Sequence, residues 1–150
     1  MLEKTINESL KKALKEKNVV GVSVLRLMIS EVKNHKIANK IKEELPDDDV
    51  MAVLQKMAKR YRESIESFEK GSRSDLVQKE TEELEFLSSF LPRPLSDDEV
   101  DNVVETVIRD TGASSMKDLP VVMKEVMSRV SGRSDGRVVS GKVREKLGGL

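Results

Sequence analysis

Apolar residues recur at spacings of three and four along almost the whole chain, the period of a helix with one buried stripe. The first stripe is Leu2, Ile6, Leu10, Ala13 and Leu14. The second is Leu25, Met28, Ile29 and Val32, and Asn18 and Gly21 mark the break between the two. After Leu45-Pro46 a third stripe runs through Leu54, Met57, Tyr61, Ile65 and Phe68. It is opened by Asp47, Asp48 and Asp49, whose charges suit the positive end of a helix dipole, and closed by Gly71. The fourth, Val77, Leu84, Leu87 and Leu91, starts from Ser74 or Asp75 as N-cap and stops at Pro92.

Pro92-Arg93-Pro94 is the strongest boundary, because neither proline fits a helix interior and the residue before each is pushed towards extended backbone. It divides the chain into an amino-terminal helical subdomain, 1–92, and a carboxy-terminal one, 95–150. Beyond it, Ser96-Asp97-Asp98-Glu99 has capping-box spacing and opens a helix carrying Val100, Val103, Val104, Val107 and Ile108. Gly112 ends that helix. Ser114 or Ser115 caps a short turn before Pro120, which suits a first helical position, and Val122, Met123, Val126 and Val130 form the next stripe. The loop Ser131-Gly132-Arg133-Ser134-Asp135-Gly136 leads to a last helix with Val139, Val143 and Leu147 facing inward. The expected fold is all-α: an amino-terminal layer of about four helices joined to a small three-helix carboxy-terminal domain.

Composition supports helices packed on aliphatic side chains: the chain of 150 residues has no Trp, one Tyr and three Phe. The absence of Cys removes disulfides, thiolate nucleophiles, Fe–S clusters and thiolate zinc sites. Met1-Leu2-Glu3-Lys4 lacks the apolar run of a signal peptide, and the densest apolar stretch, Val19 to Ile29, is interrupted by Ser23 and Arg26. These features lead to the expectation of a cytoplasmic protein without a membrane span. The net charge of zero hides an asymmetry. Residues 1–45 hold ten bases and six acids, residues 46–111 nine bases and seventeen acids, and residues 112–150 eight bases and four acids. A basic tail beside an acidic middle suits either an anionic partner or solvated faces that attract each other.

No catalytic constellation emerges. His35, the single histidine, lies in the polar run Lys33-Asn34-His35-Lys36, so neither a His-supported nucleophile elsewhere nor a di-iron site built on Glu-x-x-His pairs is available. No glycine pattern matches a Rossmann turn, a Walker loop or a nucleophile elbow, and no cofactor is expected. Glu80, Glu82, Glu83 and Glu85, with Glu63, Glu66 and Glu69, read as solvated surface before they read as a site for a hard cation. Glu80 shares its helical line with Val77, Leu84 and Leu87, so it is expected to point inward and to need a cation, either Arg26 or Arg60, in a structural ion pair. In the tail, Arg129, Arg133 and Arg137 approach or line the glycine-flanked loop, and Lys142 and Lys146 follow one turn apart. Those five are the candidate contacts to a phosphate backbone. Without interleaved aromatics they would read backbone and shape rather than base sequence.

The order of these short motifs resembles the GatB/YqeY-domain proteins of the YqeY type. The resemblance rests on Leu25-Arg26-Leu27 with Glu31-Val32-Lys33-Asn34, Arg60 with Glu63-Ser64-Ile65 and Phe68, and Gly71, Arg73, Asp75-Leu76, Glu80, Glu83-Leu84 and Leu91-Pro92. In the tail it rests on Val122-Met123, Gly132-Arg133, Asp135-Gly136, Val138-Val139-Ser140 and Leu147. It implies two helical lobes, the second similar to the tail of the GatB subunit of the glutamine-dependent tRNA amidotransferase, a carbon–nitrogen ligase whose tail engages tRNA. It also implies a partner, tRNA or another structured RNA, the alternative being a protein-interaction module. Pro120-Val121 stand where the family is expected to carry Gly-Lys.

Overall fold

The computed structural model describes residues 1–130 and 132–150, so the Ser131 end of the expected tail loop lies outside the described residues. Every regular element among them is helical: α1 Leu2–Lys15, α2 Val19–Ala38, α3 Asp47–Lys70, α4 Ser74–Ser88, α5 Asp97–Thr111, a single 3₁₀ turn at Met116–Asp118, α6 Leu119–Val130 and α7 Gly136–Gly148. The fold is all-α, as the periodicity predicts. Chain contacts separate into Met1–Leu91 and Pro92–Leu150.

The first unit, α1 to α4, is built around Ile6, Val24, Leu25, Met28, Leu54, Met57 and Leu87, with Leu45 from the link between α2 and α3 equally buried. Glu3 fixes that link: one carboxylate oxygen accepts from the Leu45 backbone N–H at 2.7 Å and the other from Lys36 Nζ at 3.1 Å. Between α1 and α2 the turn is made by Lys17 in the left-handed region, and Asn18 then caps α2 by accepting from the Gly21 N–H at 2.9 Å. Gly21 is therefore not the break that its sequence position suggests. It lies inside α2, where an added Cβ would stand 2.7 Å from the Asn18 amide and 3.0 Å from the Phe86 ring. Neither Ser74 nor Asp75 caps α4: Arg73 is the N-cap, without a side-chain cap bond, and its guanidinium holds Asp75 at 3.4 Å.

The second unit packs α5, α6 and α7 through Val100, Val104, Val107, Val122, Val126, Val130, Val139, Val143 and Leu147. Ser96 and Glu99 form the expected capping box, and Gly112 ends α5 at φ 69°, a conformation that suits glycine. Ser115 caps the 3₁₀ turn, while the Ser114 backbone N–H donates to Asp118 at 2.9 Å. Pro120 is the second residue of α6 rather than the first, still within the turn where its missing N–H has no helical partner to lose. The Leu95 N–H donates to the Arg133 carbonyl at 2.8 Å, joining the segment before α5 to the loop before α7.

Candidate nucleic-acid interface

Helix α7 starts at Asp135, whose carboxylate accepts from the Arg137 N–H at 2.8 Å and so occupies the helix N-terminus that an anion would otherwise use. Five side chains are the sequence-derived cation set, and most of them have acids of their own lobe. Lys142 Nζ lies 3.0 Å from Asp101, and Lys146 Nζ lies 2.7 Å from Glu105 one turn further along both helices. These bonds raise both lysine pKa values, the hydrogen bond to the carboxylate being the leading cause in each. Arg129 bridges Asp110 at 3.1 Å and Glu125 at 3.0 Å. Matched spacing was the available signal: acids at 101 and 105 repeat the interval of the lysines at 142 and 146.

Arg133 is placed differently. Its Nε donates to the Arg93 carbonyl at 2.9 Å, and Glu99 is bound through two oxygens by Arg93, at 2.7 Å and 3.1 Å. The Arg93 hydrogen bond first, then the Ser96 backbone N–H, hold the Glu99 carboxyl down at about 2, and Arg133 adds to the same field. Two guanidiniums thus bear on one carboxylate, beside Asp135 and exposed Arg137 at the start of α7. Sequence reading did not include Arg93, because it saw only a linker residue between two prolines.

In the first unit the expected pair at Glu80 is not formed. Arg60 instead meets Glu31 of α2 at 3.1 Å, and Arg26 lies exposed on the side of α2 opposite its buried stripe. The physical reason is angular: Arg60 follows the inward Met57 and precedes the inward Tyr61, and its side chain leaves α3 on the side of α2. Glu80 is half-buried with no ion pair among the described residues, and its pKa is raised, by burial first and by the like charge of Glu83 second, against the pull of Lys79. The Tyr61 hydroxyl is buried nearby with no hydrogen-bond partner among the described residues, and burial followed by the charge of Glu83 pushes its pKa up. Among the described residues no three His, Asp or Glu side chains are grouped to hold a metal ion, and no helix is long and apolar enough to cross a membrane.

A model of the Yqey-like protein family matches residues 3–147. Similar curated proteins include altered inheritance of mitochondria protein 41, mitochondrial, of Pyrenophora tritici-repentis, 29% identical over 148 residues that cover 95% of this chain and 79% of that protein. The protein of the same name from Kluyveromyces lactis is 29% identical over 142 residues, 93% of this chain and 72% of its own length. An uncharacterized protein of Schizosaccharomyces pombe is 33% identical over 96 residues, 63% of this chain and 76% of that protein. The mitochondrial names correct the expectation of a cytoplasmic protein and point to the mitochondrion instead.

Proposed function

This chain belongs to the YqeY-like protein family, and on that premise we propose that it is a non-catalytic accessory protein whose carboxy-terminal lobe binds tRNA or another structured RNA. In this reading it is related to the glutamine-dependent tRNA amidotransferase system, through the likeness of that lobe to the GatB tail, and supplies none of the ligase chemistry. The observation that supports it is the pair Arg93 and Arg133 around the single Glu99, an excess of guanidinium charge set beside the start of α7. Planar guanidiniums suit phosphate oxygens, and nothing here stacks on bases, so recognition rests on backbone and shape.

The contact set is smaller than the basic tail suggests. Arg129, Lys142 and Lys146 are held by Asp110, Glu125, Asp101 and Glu105, which centres the reading on Arg133, with Glu99-paired Arg93 and Arg137 beside it. Binding to unmodified tRNA, followed by filter retention, is expected to fall about tenfold over a roughly fourfold rise in salt, the response of about two released counterions. The double variant Arg133→Glu/Arg137→Glu, with an unchanged helical circular-dichroism spectrum, is expected to abolish retention. Retention that ignores both salt and charge reversal overturns the reading.

A further inference from the structure

Helix α2 is apolar on two sides. Gly21, Val24, Leu25, Met28 and Val32 face the core, as one stripe should. On the opposite side Val19 is 81% exposed and Leu27 44%, and Leu14 of α1 beside them is 48% exposed. Single exposed aliphatics are ordinary, but these three line one groove of about 720 Å³ together with half-buried Val22. A helix apolar all round is normally covered on both sides, and within its own unit α2 is covered on one.

The polar groups at this groove carry one sign. Lys17 and Arg26 line it and no carboxylate does. Neither cation has an acid partner among the described residues, although Arg60, Lys12 and Lys36 of the same unit all have one. The groove along α5 and α7 is the contrast, since there Lys142, Lys146 and Arg109 are mixed with Asp101, Glu105 and Glu145.

We propose that the α1–α2 groove is a docking site for an amphipathic helix of a partner protein, its apolar stripe flanked by Asp or Glu. The aliphatic floor receives the stripe, and Lys17 and Arg26 meet the flanking acids. The groove residues of α2 run from Val19 to Ser30, a track about 18 Å long that takes about three turns of a partner helix, and Ser23 and Ser30 keep it shallow so that a backbone approaches closely. A nucleic acid fits less well, because phosphates against Leu14, Val19 and Leu27 would lose water without gaining donors. This site belongs to the first unit and does not depend on the RNA reading of the second.

The test uses the full chain, isotope-labelled for NMR, and two synthetic 18-residue helical peptides with the same leucine stripe, one flanked by Glu and one by Lys. The Glu-flanked peptide is expected to shift the amide signals of Leu14, Val19, Val22 and Leu27, and to bind at least about tenfold more tightly than its Lys counterpart. Val19→Asp/Leu27→Asp, both at exposed positions, is expected to keep the melting temperature and lose the binding, while Arg26→Glu narrows or inverts the charge preference. Equal binding of both peptides, no binding of either, or shifts mapped elsewhere overturns the proposal. So does a concentration-dependent dimer in sedimentation that Val19→Asp dissolves, since the occupant would then be a second copy of this chain.

Discussion

In Met1–Leu91 the buried set mixes Ile, Leu, Met, Val and Ala with Tyr61, whereas among the described residues of Pro92–Leu150 eight of nine buried ones are valine and the ninth is Leu147. Valine loses side-chain freedom in a helix and is a weaker helix former than leucine or methionine. The two units differ in their helix ends in the way this predicts. In the first, only α2 has a side-chain cap bond, while α1, α3 and α4 begin without one. In the second, α5, the 3₁₀ turn and α7 each begin on a side chain that accepts from the backbone, and the first two have complete capping boxes. Where the core side chains oppose helix formation, side-chain caps are more frequent, with α6 running on directly from the capped 3₁₀ turn.

Core truncation gives the largest expected effect and tests the contrast directly. Leu54→Ala should destabilise the first unit by about 3 kcal/mol, through lost burial and the cavity left behind. Val126→Ala should cost the second unit only about 1.5 kcal/mol, because two methyl groups are lost but alanine returns about half a kcal/mol of helix propensity. Amide hydrogen exchange, read separately for each unit, measures both; equal costs would break the comparison. Removing a cap comes next: Ser96→Ala should destabilise the second unit by about 1 kcal/mol and speed exchange in α5 while leaving α1 to α4 unchanged.

The smallest effects are titrations of opposite sign. Glu99 has a folded pKa of about 2 against an ordinary 4.5, so its stabilisation of the second unit is full above the ordinary value and is lost as pH falls towards 2. Glu80 has a raised folded pKa, so it burdens the first unit when ionised at neutral pH and is relieved as acid protonates it. In pH-dependent melting, Glu99→Gln should flatten the acid loss, and Glu80→Gln should raise the neutral-pH melting temperature with a gain that vanishes on acidification.

Helices, stripes and the Ser96 box were legible because they depend on residues three and four apart. The valine core was legible for the same reason: Val100, Val104 and Val107 announce their face without reference to any partner. Pairings across helices were not. Arg60 sits between two inward positions, and whether it reaches α2 or α4 is decided by how those helices pack against α3, which period alone does not encode. The tail lysines failed similarly: their charge was visible, but their commitment to Asp101 and Glu105 needed the register of α7 on α5. Gly21 resembled a breaker because what makes it glycine is close packing, against the Asn18 cap three residues back and the Phe86 ring 65 positions away.

That register rests on few side chains, because α7 gives the core only Val139, Val143 and Leu147. Sliding α7 by one turn along α5 would keep a valine in a valine's place at one of the three positions. In one direction the slide carries Lys142 to Glu105 but Lys146 to Arg109, cation against cation. In the other, both lysines still find acids, Asp97 and Asp101, and the objection comes from Leu147, which would press into a valine's place and vacate its own. Two surface ion pairs and a single leucine thus act as an index mark on an otherwise repetitive helix pair, and Leu147→Val would erase half of it.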